Sequence, residues 1–378
     1  MSPIYLDNNA TTQPFPEVIE TVSKHMRDSY GNPSSRHGLG RTSRRVLEDS
    51  REQIAAILGA SPSELLFTSG GTEANNLAVF GLTAGQAGTI LVSPGEHPSN
   101  LEACRVRERQ GWVLKTLPVD ESGLFPANVM EFDEHHLNDV RFAAVILAHN
   151  ETGTIQNIEP LIECAARNGF GVHLDGVQAV GKIPVNFAKL GSTTLSFGAH
   201  KFHGPRGVGG LLVRDRVKLA PGFAVGGLQE TGRRAGTEPV PLVAGMAKAL
   251  DLWHRSHAER TRHVSSLRDH LQSRLQELAA PAIVNGIAAA RLPNTLNISF
   301  PGVDGEALLV ALDLEGICCS LGSACASGSI EPTPILVAMG LTSEVYRSAL
   351  RLTLSCLTTR EEIDAAATKI AEVAGYLR

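Results

Sequence analysis

The sequence lacks the features that direct a chain to a membrane or to nucleic acid. It has no run of about 18 uninterrupted apolar residues, the length of a membrane span. Its start shows no basic segment followed by an apolar one, so no secretory signal is visible. The formal net charge is −5, without a long basic run. We therefore predict a cytoplasmic protein with no membrane association and no direct contact with nucleic acid.

The sequence also lacks paired cysteines. None of its six cysteines forms a Cys-x-x-Cys pair, and in a chain of this length they predict neither a disulfide framework nor a zinc site. Asp133-Glu134-His135-His136 has a metal-like composition but no third ligand at helical spacing. We expect no resident metal and thiols that are mostly buried.

The chain of 378 residues is longer than one hydrophobic core usually supports, since single cores stop growing near roughly 250 to 300 residues. Short apolar runs alternate with helical patterns through the first two thirds, which predicts an α/β domain with a largely parallel sheet. A long helical pattern, 243–278, follows. We predict a large domain of residues 13–258 and a smaller α/β domain built from 1–12 and 259–378.

The apolar runs define the predicted strands. Those of the large domain are 64–68, 89–93, 142–148, 172–175, 193–197 and 209–213, and those of the small domain are 296–300, 317–320 and 349–355.

Several polar residues follow these strands, at the edge where parallel sheets bind ligands. Asp175 ends one apolar strand, Gln178 follows it, and Lys201 comes just after the next strand. Pyridoxal phosphate needs a lysine that holds it covalently and an acidic partner for its ring nitrogen, so this arrangement suits that cofactor. Each residue also has an ordinary interpretation, because Asp175 could cap a helix and Lys201 could be a solvated surface lysine.

Two glycine-bearing segments bear on phosphate binding. The turn that contains Gly71 and Thr72 leads from a strand into a helix, and its free N–H groups could bind a phosphate, although such turns are also ordinary connections. The segment 176–182 matches most of a Walker A loop. However, Ile183 replaces the residue that binds Mg²⁺, and Pro184 follows where the helix should continue, so we reject nucleotide binding there.

Three further residues are candidates for chemistry. His97 follows a strand and could stack on a ring or move protons, although a lone loop histidine is more often structural. Cys325 lies in a glycine-bearing loop, where motion could deliver its thiolate to a site, or it is an incidental surface thiol. Arg351 interrupts an apolar strand and is expected to have a carboxylate partner, from the protein or from a substrate.

The sequence closely resembles the cysteine desulfurases, nearly from end to end. The resemblance is carried by Tyr5–Thr12, Gly31–Ser35, Asn150–Thr154, Asp175–Lys182 and Ser323-Ala324-Cys325. These enzymes, within the class V aminotransferases, take sulfur from L-cysteine and leave L-alanine and an enzyme persulfide. The resemblance implies the pyridoxal phosphate transferase type I fold. The Ser-Ala-Cys loop, with Glu331-Pro332 after it, resembles the group that has a long active-site loop.

The resemblance also implies a role for each candidate residue. Lys201 would hold the cofactor, Asp175 would pair with its ring nitrogen, Gln178 would contact the ring hydroxyl, and His97 would stack on the ring and act as acid and base. Gly71, Thr72 and His200 would bind the phosphate, and Thr237 would reach the phosphate of the neighbouring subunit. Asn150 and Arg351 would hold the substrate carboxylate, and Cys325 would receive the sulfur. Thr237 thus implies a homodimer. A sulfur acceptor such as an iron–sulfur scaffold is the expected partner, and Cys325 could also be a transient iron–sulfur ligand.

Three positions depart from the family pattern. Gly198 stands where a phosphate-binding serine is usual, His149 where the first of two asparagines is usual, and Cys356 where an arginine is common. Two alternatives to a desulfurase stay open. One is a selenocysteine lyase or another class V aminotransferase-like enzyme, and the other is a catalytically weak sulfur-transfer partner protein.

Overall fold

The computed structural model describes residues 3–126, 128, 139–220, 225–321 and 333–378. Three of the segments singled out in the sequence, the Asp133–His136 segment, Cys325 with its loop, and Glu331-Pro332, lie outside the described residues.

A seven-stranded sheet forms the centre of the larger part of the described chain. Its strands are β2 (Leu65–Thr68), β3 (Thr89–Val92), β4 (Val113–Thr116), β5 (Val140–Ile146), β6 (Gly171–Asp175), β7 (Thr194–Gly198) and β8 (Gly209–Val213). Their order is β2-β8-β7-β6-β5-β3-β4, and β8 runs antiparallel to both of its neighbours while the other adjacent pairs are parallel. Most strands are buried along their whole length, as expected of a sheet covered by helices on both faces.

Two small sheets lie in the rest of the described chain. Strand β1 (Ile4–Tyr5) pairs in parallel with β11 (Ile317–Cys318). Strand β10 (Thr295–Ser299) lies between β9 (Ile283–Val284) and β12 (Ala349–Thr353). The chain start is therefore held by strands from the last quarter of the sequence.

Helices cover the sheets and supply the remaining regular structure. They are α1 (Pro16–Asp28), α2 (Gly38–Ile57), α3 (Gly71–Leu82), α4 (Pro98–Glu108), α5 (Glu159–Asn168), α6 (Phe187–Leu190), α7 (Val240–Leu278), α8 (Gly305–Leu314), α9 (Pro334–Ala338), α10 (Ser343–Arg347) and α11 (Arg360–Leu377). Among the described residues, none of these helices combines the length and apolarity needed to cross a membrane.

The long helix α7 contributes to two hydrophobic clusters. Its first half, including Met246 and Trp253, packs in the cluster around the seven-stranded sheet. Its second half, including Leu267 and Leu271, packs in the cluster around β10 and α11. The domain boundary at residue 258 stays a prediction, and it falls between these two sets of contacts.

The predicted α/β fold with a mostly parallel sheet is confirmed. Each predicted strand has an observed counterpart: 209–213 matches at both ends, and the others differ by one or two residues at one end or both. The sequence did not reveal β4, whose residues are exposed or half-buried rather than a buried apolar run. Glu64 was predicted to begin a strand but lies in a short 3₁₀ turn, where it forms a capping box with Ser61.

Candidate active site

The carboxyl ends of the parallel strands surround a cavity of about 190 Å³. It is lined by Gly71, Thr72, Asn75, His97, Ser99, Ile146, Asn150, Asp175, Val177, Gln178, His200 and Lys201. The cavity therefore brings together eight of the residues that the sequence singled out. Asn75 and Ser99 were not among them.

Asp175 ends β6 and is almost completely buried (3% exposed). Its Oδ2 accepts a hydrogen bond of 2.7 Å from Asn75 Nδ2, and its Oδ1 accepts one of 3.0 Å from the Val177 backbone N–H. Two N–H donors hold the buried carboxylate without neutralising its charge. A cationic ring nitrogen would therefore be a fitting partner for it.

His173 fixes the orientation of Asn75. Because Asn75 Nδ2 faces Asp175, its Oδ1 faces His173 and accepts from Nε2–H at 3.0 Å. His173 Nδ1 then accepts from the Thr194 hydroxyl at 2.9 Å. Burial lowers the pKa of His173 to about 4, so the ring stays neutral and adds no charge to this group.

Lys201 lies in a short 3₁₀ turn that follows β7. Its Nζ donates to the backbone carbonyls of Asn9 at 2.6 Å and Ala10 at 2.9 Å. Burial and the positive charge of Arg351 lower the pKa of Lys201 to about 8, although nearby carboxylates oppose this shift. A lysine with a pKa near neutrality supplies the unprotonated amine that attack on an aldehyde requires.

His97 caps the N-terminus of α4 at the mouth of the cavity. Its Nδ1 accepts the Ser99 backbone N–H at 3.1 Å, so the neutral ring carries its proton on Nε2. Surrounding protein atoms displace water from the ring and lower the pKa of His97, an effect that Asp175 opposes. A neutral, tautomerically fixed imidazole can both stack on an aromatic ring and exchange a proton.

The first turn of α3 faces the cavity with free backbone N–H groups. A Cβ atom at Gly71 would lie 2.5 Å from Val177 Cγ2, so only glycine fits this close approach. His200 lies opposite, where burial and the charge of Lys201 lower its pKa to about 4. These groups and the Thr72 hydroxyl form a neutral set of donors at a helix N-terminus, which suits a phosphate.

Arg351 lies on β12 and is held by two carboxylates. Its Nη1 donates to Glu151 Oε1 at 2.9 Å, and its Nη2 donates to Asp7 Oδ1 at 2.8 Å. The predicted carboxylate partner is therefore present twice. Sequence reasoning did not identify Glu151 or Asp7 as partners, since their pairing joins three distant segments of the chain.

Asn150 and the Arg351 group contain buried atoms that have no hydrogen-bond partner among the described residues. These atoms are Asn150 Oδ1, Glu151 Oε2 and Arg351 Nε. Buried polar atoms are rarely left unpaired in folded proteins. Asn150 also lines the cavity, so a polar ligand there would meet at least one unsatisfied group.

The remaining predicted residues are placed as follows. Thr237 is exposed and does not line the cavity. At two of the departures, His149 donates from Nε2 to the Gly95 carbonyl at 3.1 Å, and Cys356 lies 3.9 Å from His203 Nε2. Cys325 lies outside the described residues; on the chain that flanks its loop, the Thr333 hydroxyl donates to the Leu321 carbonyl at 3.4 Å.

Comparison with known proteins identifies the family. The family model "Aminotransferase class-V" matches residues 4–366. A cysteine desulfurase of Trichormus azollae is 41% identical over 381 residues, covering 100% of this chain and 94% of the relative. The cysteine desulfurase IscS of Dictyoglomus turgidum is 39% identical over 364 residues, covering 96% of this chain and 92% of that protein.

A solved structure described as a NifS-like protein superposes with a TM-score of 0.91 at 35% identity, covering 99% of this chain and 100% of the other. Fold and sequence thus agree over the whole length of the chain. The chain belongs to the aminotransferase class-V family, among its cysteine desulfurases, which are pyridoxal phosphate-dependent enzymes.

Proposed function

We propose that this protein is a desulfurase that converts L-cysteine to L-alanine and carries the released sulfur as a persulfide on Cys325. The observation that carries the proposal is the shared cavity of Asp175, Lys201 and Asn150, beside the buried Arg351. The residues that line this cavity suit pyridoxal phosphate in their charge and hydrogen-bonding groups. Asp175 suits the ring nitrogen, and the α3 N-terminus suits the phosphate.

When bound, pyridoxal phosphate withdraws electrons from the α-carbon of an amino acid. The protein holds the substrate and moves its protons. Arg351 and the Asn150 side chain orient the substrate carboxylate. Lys201, with a pKa of about 8, accepts the α proton as a free amine. His97 exchanges protons at the mouth of the cavity through its Nε2.

Sulfur transfer is balanced without an external oxidant. The Cys325 thiolate attacks the sulfur of L-cysteine, so that a sulfur–sulfur bond forms while the carbon–sulfur bond breaks. The electron pair of the broken bond stays on the β-carbon, which then takes a proton to become the methyl group of alanine. The products are L-alanine and a Cys325 persulfide, and a thiol acceptor can remove the outer sulfur.

The test measures alanine and sulfide released from L-cysteine with a thiol reductant present, while the cofactor spectrum is recorded. We expect equal amounts from the wild type, none from Cys325→Ala with its cofactor band intact, and undiminished release from the matched control Cys318→Ala. Cys318 lies on β11, away from the cavity. Full activity of Cys325→Ala would contradict the role of this thiol, and turnover of selenocysteine alone would favour a lyase. Loss of cofactor binding in the wild type would favour a sulfur-transfer partner.

A homodimer is part of this proposal. Thr237 is exposed in this chain and does not reach its own cavity, which suits a residue that serves a neighbouring subunit. Leu228, in the same segment, is 90% exposed, and an apolar side chain of that exposure suits a contact between subunits. Sedimentation of the wild type gives the subunit number, and Thr237→Val should weaken cofactor binding without removing a residue from the chain's own cavity.

The cytoplasm as location and an iron–sulfur scaffold as sulfur acceptor complete the proposal. Both are supported by the resemblance to the cysteine desulfurases. Transfer of ³⁵S from the Cys325 persulfide to a purified scaffold protein tests the acceptor, and transfer only to small thiols would count against it.

A further inference from the structure

Lys182 is buried beside the cavity, in the turns that follow β6 (8% exposed). Its Nζ donates a hydrogen bond of 2.6 Å to Asn9 Oδ1 and another to Gln178 Oε1. Both acceptors are neutral amide oxygens. Burial and the charges of Lys201 and Arg351 hold the pKa of Lys182 well below its ordinary value. The Lys182 amine is costly to bury, and its two hydrogen bonds to amide oxygens offset part of that cost.

The orientation of both amides follows from their other partners. Gln178 Nε2 donates to the Asn9 backbone carbonyl at 3.0 Å. Asn9 Nδ2 donates to the Asn150 carbonyl at 3.0 Å. Because a carbonyl can only accept, each nitrogen is fixed on its carbonyl and each amide oxygen is turned toward Lys182. Lys182 thus donates to both buried oxygens, and it shares the Asn9 oxygen with Asn294 Nδ2, which donates to it at 3.0 Å.

This arrangement determines what Gln178 offers to the cavity. An amide nitrogen has two N–H groups, and the Asn9 carbonyl takes one of them. The second N–H is left for an acceptor in the cavity that Gln178 lines. The Asn9 carbonyl also accepts from Lys201 Nζ at 2.6 Å, so the same network reaches the reactive amine.

We propose that Lys182 is a positioning residue that holds the Gln178 amide with an N–H toward the cofactor's ring oxygen. The inference rests on the proposed function, in which Gln178 contacts that oxygen. Without a donor at position 182, Gln178 Oε1 loses its partner, and only the hydrogen bond from Nε2 to the Asn9 carbonyl still holds the amide. The amide then moves more freely, and its second N–H points at the ring oxygen in a smaller fraction of the molecules, which weakens that hydrogen bond.

The experiment titrates apoprotein with pyridoxal phosphate and follows the visible cofactor band as a function of pH. We expect Lys182→Met to bind the cofactor about tenfold more weakly, a loss typical of one hydrogen bond to a charged group. The pH midpoint of its band should rise, because the ring oxygen loses a donor that stabilises its anionic form. Lys182→Arg keeps the donors and should recover part of both effects. Lys189→Met, the same change at an exposed lysine, should equal the wild type.

A double-mutant cycle separates this role from a general loss of packing. If Lys182 acts through Gln178, adding Lys182→Met to Gln178→Ala should weaken cofactor binding less than about twofold, whereas the same change in the wild type costs about tenfold. Equal losses in both backgrounds, or an unchanged affinity and pH midpoint in Lys182→Met, would overturn the proposal.

If Lys182→Met does not fold, Gln178→Glu replaces it, since glutamate satisfies Lys182 but has no N–H. Wild-type affinity in Gln178→Glu would then refute the inference, whereas absence of cofactor binding by the wild type would refute the proposed function instead.

Discussion

Asn75 on α3 and Asp175 on β6 are joined by a hydrogen bond of 2.7 Å that runs from Nδ2 to Oδ2. The relationship ties the helix that offers its N-terminus to a phosphate to the strand that carries the buried carboxylate. His173, on the same strand as Asp175, holds the other end of the amide at 3.0 Å. Strand β6 and helix α3 therefore fix the position of a single carboxylate.

Asn75→Ala is expected to weaken cofactor binding and to destabilise the apoprotein by about 1 to 3 kcal/mol, since it leaves Asp175 Oδ2 and His173 without their partner. The cofactor dissociation constant and the urea midpoint measure the two effects. Asn168→Ala serves as the control, because Asn168 is also a helical asparagine and its side chain bonds to Cys164 of the same helix. If both variants behaved alike, the Asn75 contact would have no particular role in the site.

Gly198→Ser is expected to tighten cofactor binding by about threefold to tenfold, through one added hydroxyl donor. A Cβ at Gly198 would meet its nearest neighbour, the Gly71 backbone nitrogen, at 3.4 Å, so the residue fits with little adjustment. Gly198→Ala is the matched control, since it adds the Cβ without the hydroxyl. Titration of apoprotein with cofactor compares the three proteins. Equal affinities in the serine and alanine variants would show that the hydroxyl does not reach the phosphate.

Arg351→Lys is expected to raise KM for L-cysteine about tenfold while kcat changes less, because an ammonium cannot replace the planar fork of donors. The arginine uses two nitrogens for Glu151 and Asp7, and its Nε has no hydrogen-bond partner in the part of the chain that the structure describes. Steady-state kinetics measures the split between the two constants. Arg347→Lys, at an exposed position of α10, is the control. A fall in kcat with unchanged KM would argue that Arg351 does not bind the substrate.

The strand ends were predictable, but the contacts among them were not. Asp175 and Lys201 could be identified because each follows an apolar run, and the edge of a parallel sheet collects such residues. Asn75 gave no comparable signal, since a helix pattern hides which side chains face a cavity. Glu151 was missed as the partner of Arg351 because 200 residues separate them in sequence. Pairings of this kind depend on the packing of distant segments, which periodicity along one chain does not report.

Glu96 is a buried carboxyl group beside the proposed active-site histidine. Its Oε1 accepts the Ile146 backbone N–H at 2.7 Å, and its Oε2 accepts from Asn100 Nδ2 at 2.7 Å. The Ser93 hydroxyl also contacts Oε1. Burial raises the pKa of Glu96 to about 8 from an ordinary value of 4.5. The folded protein therefore holds a proton here that the unfolded chain releases at lower pH.

The pH dependence of stability follows from this difference. Below pH 4.5 both states are protonated and the contribution of Glu96 is fully present, and it is lost as the pH rises toward about 8. Glutamine at position 96 cannot titrate, so the stability of Glu96→Gln relative to the wild type should increase as the pH rises through this window. The difference in free energy of unfolding, measured from urea midpoints, should grow by at most about 1.4 kcal/mol per pH unit. Its amide can be accommodated, because Asn100 Oδ1 is buried without a partner among the described residues and would accept a new N–H. Glu121→Gln, at an exposed position, should follow the wild type at every pH. A constant offset between Glu96→Gln and the wild type from pH 5 to pH 8 would show that Glu96 is ionised throughout and held by its three donors alone.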